Sequence, residues 1–236
     1  MRIGVFDSGI GGINVLSCLI DKYPNHEYIY FGDTINLPYG NKTKEELMNL
    51  ACQAIDFLIN KKVDIIIIAC GTISSNCYQD LKKKYDIPLY DIISPTIKYL
   101  KESNYQNIGV IGTKRTIESN IFAIENKNMV MKETPSFVPI IENNLIEEKK
   151  TDIINELIDF KKMDVLVLGC THYPLLTNII KELNINVIDM GNVLADNLVL
   201  KEETKYSCEL YFSLVGVNLL ENIHKILKKD YQIYLK

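Results

Sequence analysis

Two segments of this chain, 100 residues apart, are near-copies of one another. The first runs from residue 63 to 72 and the second from 163 to 172. Each has an aspartate, four aliphatic residues, a small residue and then a cysteine with a threonine within two positions of it. A short, continuous apolar run of this kind predicts a strand of a parallel sheet that is buried on both faces. The duplication therefore predicts two similar halves, each with one thiol just beyond the carboxyl end of a strand.

The cysteines of the two copies, Cys70 and Cys170, are predicted to face a shared cleft. Open α/β sheets bind their ligands at the carboxyl ends of their strands, and both thiols lie at that edge. Two thiols on either side of one cleft are the arrangement that a two-base proton-transfer enzyme requires. Free cysteine is otherwise a common core residue. We assign the remaining cysteines to core packing: Cys18, Cys52, Cys77 and Cys208.

Composition limits the classes of protein to be considered. The chain has 236 residues, of which 47% are hydrophobic and 24% charged, so it can form a substantial core in one or two domains. A net charge of −4 argues against nucleic acid or an anionic membrane as the main partner. The sequence has no Cys-x-x-Cys pair and no histidine-rich cluster, so we expect no metal site. We read no signal peptide or membrane-spanning segment, and therefore expect a cytoplasmic protein with reduced thiols.

Strand and helix patterns alternate along almost the whole chain, which is typical of doubly wound parallel sheets. No glycine- or serine-rich linker is present, so the two halves are expected to pack tightly. The predicted strands are residues 2–6, 27–31, 64–69, 87–91, 107–112, 136–141, 164–169, 186–190 and 208–213. The predicted helices are residues 11–22, 43–60, 74–85, 95–103, 115–125, 144–161, 173–183, 191–201 and 216–228.

A glycine-rich turn, residues 7–12, follows the first predicted strand and opens the first helix. It is not a dinucleotide-binding fingerprint, because Asn14 stands where the third glycine is required. Its glycines and the helix amino end favour a turn that binds a carboxylate or ammonium group, the alternative being a plain tight turn. Residues 37–40 follow the second strand at the same edge, where a substrate-binding role and a structural turn are equally compatible with the pattern.

Among the three histidines, only His172 lies beside one of the two thiols. A nearby imidazole can stabilise a thiolate or accept the proton of a thiol. We expect surface positions for His26 and His224. Asp64 and Asp164 begin their strands, so we expect them at the opposite edge with structural roles.

Several motifs cover most of the chain in a characteristic order. They are residues 6–12, 30–34, 37–40, 69–72, 137–142 and 168–176. In this order they resemble the glutamate racemases of the cofactor-independent aspartate/glutamate racemase superfamily, and the last motif is highly specific. The resemblance implies two flavodoxin-like, doubly wound parallel-sheet α/β domains, related by a pseudo-two-fold, with the active site between them. It also implies that the final helix returns to the first domain. The expected domains are residues 1–94 with 209–236, carrying Cys70, and residues 95–208, carrying Cys170.

The resemblance also implies roles for individual residues. Cys70 and Cys170 are the two acid/base residues, and Asp7 and His172 assist the neighbouring thiols. A thiol pKa of about 8.5 needs little change for one cysteine to act as thiolate and the other as thiol near neutral pH. The implied substrate contacts are Asp7, Ser8, Pro38, Tyr39, Gly40, Gly71, Thr72, Glu142, Thr171 and His172.

The sequence departs from the family at Gly71, where asparagine is usual. The amide that would contact the charged end of the substrate is therefore missing. We expect either a raised KM for glutamate or a preference for another amino acid, unless a water, Ser74 or Ser75 compensates. Thr134, which stands where many members have cysteine, is interpreted as a neutral change.

The implied function is cofactor-independent, two-base racemisation of L-glutamate to D-glutamate, which supplies D-glutamate for peptidoglycan. One alternative is a racemase of the same fold that acts on another amino acid such as aspartate. A second is a catalytically inactive binding or regulatory homologue, although a pure binder has no need of paired thiols. The expected ligand is a small amino acid, with no cofactor and no metal. A homodimer is compatible with the sequence, which determines neither the oligomeric state nor effector regulation.

Overall fold

The computed structural model describes residues 1–216 and 218–236. Strands and helices alternate along these residues, and the strands form two separate sheets. The strands are β1 (Arg2–Asp7), β2 (Glu27–Gly32), β3 (Ile65–Ile68), β4 (Leu89–Asp91), β5 (Asn107–Gly112), β6 (Asn128–Glu133), β7 (Val165–Leu168), β8 (Val187–Asp189), β9 (Ser207–Phe212) and β10 (Gln232–Leu235).

The helices lie between and around these strands. They are α1 (Gly12–Lys22), α2 (Lys44–Asn60), α3 (Gly71–Asn76), α4 (Tyr78–Lys84), α5 (Ile93–Glu102), α6 (Lys114–Glu118), α7 (Phe137–Glu142), α8 (Lys150–Leu157), α9 (Thr177–Glu182), α10 (Met190–Asn197) and α11 (Leu219–Ile226). The helix predicted at 216–228 includes residue 217, which lies outside the described residues.

The two sheets repeat one topology. The first has the strand order β10-β9-β2-β1-β3-β4 and the second β6-β5-β7-β8. The pairings within both sheets are parallel in the part of the chain that the structure describes. The segments β2-β1-β3-β4 and β6-β5-β7-β8 share the same order, second-first-third-fourth, which is the beginning of the flavodoxin-like order. The chain therefore forms two parallel-sheet α/β domains.

The register of the central strands places the two thiols at equivalent positions. In the first sheet Phe6 of β1 pairs with Ile68 of β3, and in the second Ile111 of β5 pairs with Leu168 of β7. All four residues of β3 and all four of β7 are buried, as their uninterrupted apolar sequences predict. Each cysteine follows its strand by two residues.

A hydrophobic core shared by both domains lies between the two sheets. It combines Ile3 and Ile67 of the first sheet with Val110 and Val167 of the second. Helices α1 and α10, one from each half, pack against one another in this region. The outer face of each sheet has a separate core, under α2 to α4 in the first domain and under α7 to α9 in the second. The prediction that the halves pack tightly is confirmed.

The C-terminal part of the chain rejoins the first sheet. Strand β9 pairs with β2, and β10 pairs with β9. Helix α11 contacts α1 of the first domain, where the resemblance places the final helix. Strand β9 begins at Ser207, before the expected boundary at residue 209, and α5 begins at Ile93, before the expected boundary at residue 95.

Several secondary-structure predictions are wrong. The segment 136–141, predicted as a strand, contains helix α7, and the single helix predicted at 74–85 is divided into α3 and α4. Strands β6 and β10 were not predicted. The long helix expected at 144–161 is reduced to α8 and a following 3₁₀ turn, Ile158–Lys162.

One residue-level expectation, a surface position for His26, needs correction. His26 is buried, at 2% exposure, because its ring packs near Tyr23 and Tyr28, whereas His224 is exposed as expected. The core packing expected of the other cysteines is confirmed: Cys77 and Cys208 are buried, and Cys18 and Cys52 are half-buried and pack against the cores.

The aspartates at the strand starts have the structural role expected of them. Asp64 accepts the backbone N–H of Arg2 at 2.7 Å, and Asp164 accepts that of Asn107 at 2.8 Å. Each therefore links two neighbouring strands at the edge opposite the thiols. Among the helices within residues 1–216 and 218–236, none is both long and apolar enough to span a membrane.

Candidate active site

The site lies where the strand order of each sheet reverses. In the first sheet this is between the carboxyl ends of β1 and β3, from which Asp7 and Cys70 extend. In the second it is between β5 and β7, followed by Thr113 and Cys170. Such switch points leave a crevice beyond the strand ends because the connecting helices lie on opposite faces of the sheet. The two crevices face one another.

A cavity of about 110 Å³ occupies the space between the two crevices. This size suits a small molecule, and residues of both domains line it. The lining residues are Ser8, Leu37, Pro38, Tyr39, Gly40, Asn41, Cys70, Gly71, Thr72, Thr113, Lys114, Thr134, Pro135, Val138, Pro139, Gly169, Cys170, Thr171, His172 and Tyr173.

The thiol of the first domain is held in a buried, uncharged form. Cys70 is 4% exposed and its Sγ donates to Ser8 Oγ at 3.7 Å. Burial is the main reason that the pKa of the Cys70 thiol is raised, and the negative charge of Asp7 raises it further. A raised thiol pKa favours the protonated form. Cys70 therefore holds a proton near neutral pH.

Asp7 occupies the amino end of α1 behind the cavity. Its Oδ2 accepts the N–H of Gly12 at 2.9 Å and that of Gly9 at 3.2 Å. Burial raises the pKa of Asp7, while the charge of His172 and these backbone N–H groups act in the opposite direction. The side chain of Asp7 thus occupies the amino end of α1, and Ser8 of the same turn lines the cavity.

The thiol of the second domain belongs to a relay of three residues. Cys170 Sγ lies 3.6 Å from Nδ1 of His172, and Nε2 of the same ring lies 2.7 Å from Oε1 of Glu142. Burial alone would lower the pKa of His172, but its hydrogen bonds and charge interactions with Cys170 and Glu142 raise that pKa well above its ordinary value. The imidazolium can therefore stabilise a thiolate at Cys170. The two sides of the cavity differ, with a protonated thiol on one and a thiol beside a cation on the other.

Hydrogen bonds cross between the domains around the cavity. The hydroxyls of Thr72 and Thr113 lie 3.0 Å apart, and Arg115 Nε donates to the carbonyl of Lys42 at 2.7 Å. Deeper in the cleft, Asn14 Nδ2 donates to the carbonyl of Thr171 at 3.0 Å. These bonds hold the two halves of the site at a defined separation.

Two glycines permit the domains to approach closely. A Cβ on Gly11 would lie 2.4 Å from Thr171 Oγ1 and 2.5 Å from His172 Nδ1. A Cβ on Gly71 would lie 2.8 Å from the backbone oxygen of Gly169. Any larger residue at either position must displace part of the other domain. In this chain Gly71 is therefore a packing position between the domains as well as a position beside the first thiol.

Most of the residues predicted for the site line the cavity. These are Ser8, Pro38, Tyr39, Gly40, Cys70, Gly71, Thr72, Cys170, Thr171 and His172. Asp7 and Glu142 do not line it and instead lie behind it, where they contact Thr171 and His172 respectively.

Sequence reasoning missed part of the lining. Thr113 and Lys114 follow β5 at the same sheet edge as the two thiols, so the rule that located Cys70 and Cys170 could have located them. Asp33, also missed, is buried and accepts a hydrogen bond from the Tyr39 hydroxyl at 2.6 Å, which orients that ring at the cavity. Thr134, interpreted as neutral, lines the cavity and donates to the Tyr173 hydroxyl at 2.8 Å.

No cluster that could hold a metal ion is found within residues 1–216 and 218–236, counting groups of three or more histidine, cysteine, aspartate or glutamate side chains. The fold and site together define a two-domain α/β enzyme whose cleft holds one thiol from each domain. The model of the Asp/Glu/hydantoin racemase family matches residues 21–198, and the chain belongs to this family.

Curated relatives and solved structures agree with this assignment. The chain is 37% identical over 250 aligned positions to a glutamate racemase of Hydrogenobaculum sp., covering 99% of this chain and 95% of the relative. It is 38% identical to the glutamate racemase of Aquifex pyrophilus, covering 100% and 97%. The crystal structure of a Bacillus anthracis glutamate racemase isoform superposes with a TM-score of 0.91 at 25% identity, covering 100% of this chain and 97% of that one. A Francisella tularensis glutamate racemase, solved with D-glutamate, superposes with a TM-score of 0.84 at 29% identity, covering 100% and 96%.

Proposed function

We propose that this protein interconverts L-glutamate and D-glutamate by two-base proton transfer without a cofactor. The observation that carries the proposal is the pair of thiols, Cys70 and Cys170, which extend from equivalent strands of two domains into one small cavity. Inversion at an α-carbon requires removal of a proton from one face and delivery of a proton to the other. A thiol on each side of the cavity does both without moving the substrate.

The proton relay follows from the two thiol environments. The thiolate of Cys170, beside the His172 imidazolium, removes the α-proton from the enantiomer that presents it to the second domain. The Cys70 thiol delivers its proton to the opposite face. For the other enantiomer the roles reverse, and Asp7 favours return of a proton to Cys70 because its negative charge disfavours a thiolate there. Glu142 acts as a positioning residue, since its carboxylate bonds the nitrogen of His172 that faces away from Cys170.

The cavity also supports stabilisation of the carbanion. Enzymes typically lower barriers by about 8–23 kcal/mol, and a large share of this comes from preorganised polar groups in a site without water. The hydroxyls of Ser8, Thr72 and Thr171 line this cavity and are 6% exposed or less as residues. We assign them, with Tyr39 and Gly40, to substrate binding.

Domain organisation, compartment and partner belong to the same proposal. We assign residues 1–92 with 207–236 to the first domain and residues 93–206 to the second, which moves each expected boundary by two residues so that β9 and α5 stay whole. The activity needs both cysteines as thiols, which supports a reducing, cytoplasmic compartment, where D-glutamate is used for peptidoglycan.

We also propose a homodimer, since Ile35 and Leu214, 60% and 51% exposed, lie together through the hydrogen bond between Thr34 and Leu214. Light scattering tests it, and a monomeric mass at micromolar concentration contradicts it.

The function is tested by incubating the purified protein with L-glutamate and with D-glutamate and resolving the enantiomers chromatographically. We expect both reactions to reach a 1:1 mixture. Parallel incubations with aspartate, glutamine, alanine and serine test the alternative that another amino acid is the substrate. Racemisation of one of these, with none of glutamate, contradicts the proposal.

The two thiols are tested by Cys70→Ala and Cys170→Ala, each of which should abolish racemisation. Cys77→Ala is the matched control, because Cys77 is a buried thiol in the same core cluster as Cys70 but does not line the cavity. It should retain activity. Near-complete activity in either of the first two variants contradicts the two-base assignment.

A further inference from the structure

The cavity contains an uneven distribution of charge. Among the residues that the structure places around it, Lys114 carries the only permanent positive charge. The other cationic group is the His172 imidazolium, which is already bonded to Cys170 and Glu142. A dicarboxylate that enters the cavity therefore meets one cation that is free to bind it.

Lys114 stands where the cavity opens to the surface. It lines the cavity and also an adjoining surface groove formed with Gly40, Asn41, Arg115 and Glu118. The residue before it, Thr113, contacts the segment that follows the first thiol, since the Thr113 hydroxyl lies 3.0 Å from that of Thr72. Lys114 thus lies one residue from the contact between Thr113 and Thr72, which follows Gly71 in the sequence.

The present partner of Lys114 holds it weakly. Its Nζ lies 3.7 Å from Oε1 of Glu118, and the two side chains are 55% and 48% exposed. Exposed helical pairs of this kind contribute little to stability, so the flexible ammonium group can turn toward the cavity. Arg115 is different, because its Nε is committed to the carbonyl of Lys42 at 2.7 Å.

The other groups expected to compensate for Gly71 are used elsewhere. Ser74 Oγ donates to the carbonyl of Ile68 at 3.2 Å, and Ser75 Oγ donates to that of Thr72 at 3.1 Å. Neither serine lines the cavity. Lys114 is the remaining side chain near the first thiol with a charge opposite to that of a carboxylate.

We propose that Lys114 is a specificity-determining residue that binds the side-chain carboxylate of the substrate at the cavity mouth. This inference rests on the proposed function and deepens it. The α-carbon must lie between the two sulfur atoms to react, so the carboxylate that is farther from the α-carbon extends toward the mouth, where Lys114 lies. The site then selects acidic amino acids over neutral ones by charge.

The experiment compares wild type with Lys114→Gln, Lys114→Arg and Lys101→Gln. The last is the control for loss of one positive charge, since Lys101 is an exposed lysine at the end of α5. Because hydrogen bonds to charged groups are worth more than neutral ones, we expect Lys114→Gln to raise KM for both enantiomers of glutamate about tenfold. The kcat should change less than about twofold, since the ammonium group does not act on the reacting proton. Lys114→Arg should recover most of the affinity, and added salt should reduce the difference from wild type.

Two further measurements separate this inference from its alternatives. Calorimetric binding of glutamine, whose side chain is neutral, should be unaffected by Lys114→Gln. An equal loss for glutamine and glutamate, or an unchanged KM for glutamate, overturns the inference. Calorimetric binding of glutarate, a dicarboxylate without an α-amine, tests the site without catalysis. If wild type binds glutarate more tightly than Lys114→Gln but racemises no glutamate, the proposed function fails and the dicarboxylate site remains. If wild type and Lys114→Gln bind glutarate equally, the proposed carboxylate site at Lys114 is wrong.

Discussion

The two thiols of this enzyme differ because their neighbours differ. Cys70 lies beside an aspartate that disfavours its thiolate, whereas Cys170 lies beside a histidine that favours it. Strand topology makes the two positions equivalent, and the asymmetry arises in single residues of the loops that follow the strands. The resting enzyme is therefore prepared for one direction of proton transfer before the substrate arrives.

Glu142→Gln is expected to weaken the stabilisation of a Cys170 thiolate by His172. It should also change how the free energy of unfolding depends on pH. The folded-state pKa of His172 is raised above its unfolded value, so its contribution to stability is complete below about pH 6.5 and is lost as pH rises through the folded-state pKa. Removing the Glu142 charge should cost about 1.5–3 kcal/mol near pH 6 and much less at high pH. Urea unfolding of wild type and variant at several pH values measures this. A difference that is constant between pH 6 and pH 10 contradicts the account.

Asp7→Asn should act on the opposite thiol. Loss of the negative charge lowers the pKa of Cys70, so the direction of reaction that begins with a Cys70 thiolate should reach its maximal kcat at lower pH. The maximum itself should fall, because Asp7 also holds Thr171 and the amino end of α1. The profiles of kcat against pH for the two enantiomers measure the shift, because an equilibrium constant of one requires kcat/KM to be equal in both directions. Equal changes in both directions would show that Asp7 contributes to binding alone.

Gly71→Asn distinguishes two readings of this departure from the family. If only a substrate contact is missing, asparagine should lower KM for glutamate. The structure predicts the opposite, because a Cβ would meet the Gly169 oxygen at 2.8 Å and overpacking typically costs 1–3 kcal/mol. Gly71→Ala is the matched control, since it adds the Cβ without the amide. We expect both variants to lose kcat/KM at least fivefold, and a gain in the asparagine variant alone contradicts this.

At the scale of secondary structure, the elements that the sequence predicts best are those in which every residue is buried. Strands β3 and β7 are buried on every residue, and their continuous aliphatic sequences identified them and the thiols that follow. Strands β6 and β10 lie at sheet edges and are largely exposed, so their sequences lack such a run. Helix α7 was predicted as a strand because Phe137–Glu142 is rich in β-branched residues, a preference that packing against the second domain overrides.

The sequence predicts many of the residues that line the cavity, but not how the residues behind them are arranged. The edge rule and the resemblance located both thiols, His172 and the Tyr39 turn. The position of Asp7 behind the cavity could not be derived, because it depends on how the amino end of α1 closes on its own strand. The relay through Glu142 depends on contact between α7 and the segment after β7, two parts of the chain 30 residues apart.

Gly11→Ala tests whether close packing of the α1 turn positions the second thiol. The added Cβ would lie within 2.5 Å of His172 Nδ1 and of Thr171 Oγ1, so the loop that carries Cys170 must shift. We expect kcat to fall more than tenfold while the far-UV circular dichroism spectrum stays unchanged. Gly216→Ala is the control, because no atom of the residues that the structure describes lies within 4 Å of a Cβ at Gly216. Unchanged kcat in Gly11→Ala would show that the loop tolerates the shift.

At the scale of the whole molecule, the two domains are joined by a common core and by hydrogen bonds across the cleft. Their sheets share a core that includes Ile67 and Val167, and hydrogen bonds such as Thr72–Thr113 cross the cleft. We therefore expect one unfolding transition in urea, with coincident far-UV and near-UV signals. D-glutamate at 100 times its dissociation constant should add about 2.7 kcal/mol to the free energy of unfolding. Two separate transitions would show that the domains unfold independently.

The central claim is that protons are removed and delivered by different thiols on opposite faces of the substrate. Racemisation of protiated L-glutamate in D₂O, followed by NMR and mass spectrometry during the first few per cent of conversion, tests it most directly. The account predicts that D-glutamate formed in this phase carries deuterium at the α-carbon while the remaining L-glutamate does not, and that the reverse holds when D-glutamate is the substrate. Deuterium that enters the unreacted substrate as fast as the product would show that a single base exchanges with solvent, and would contradict the two-thiol mechanism.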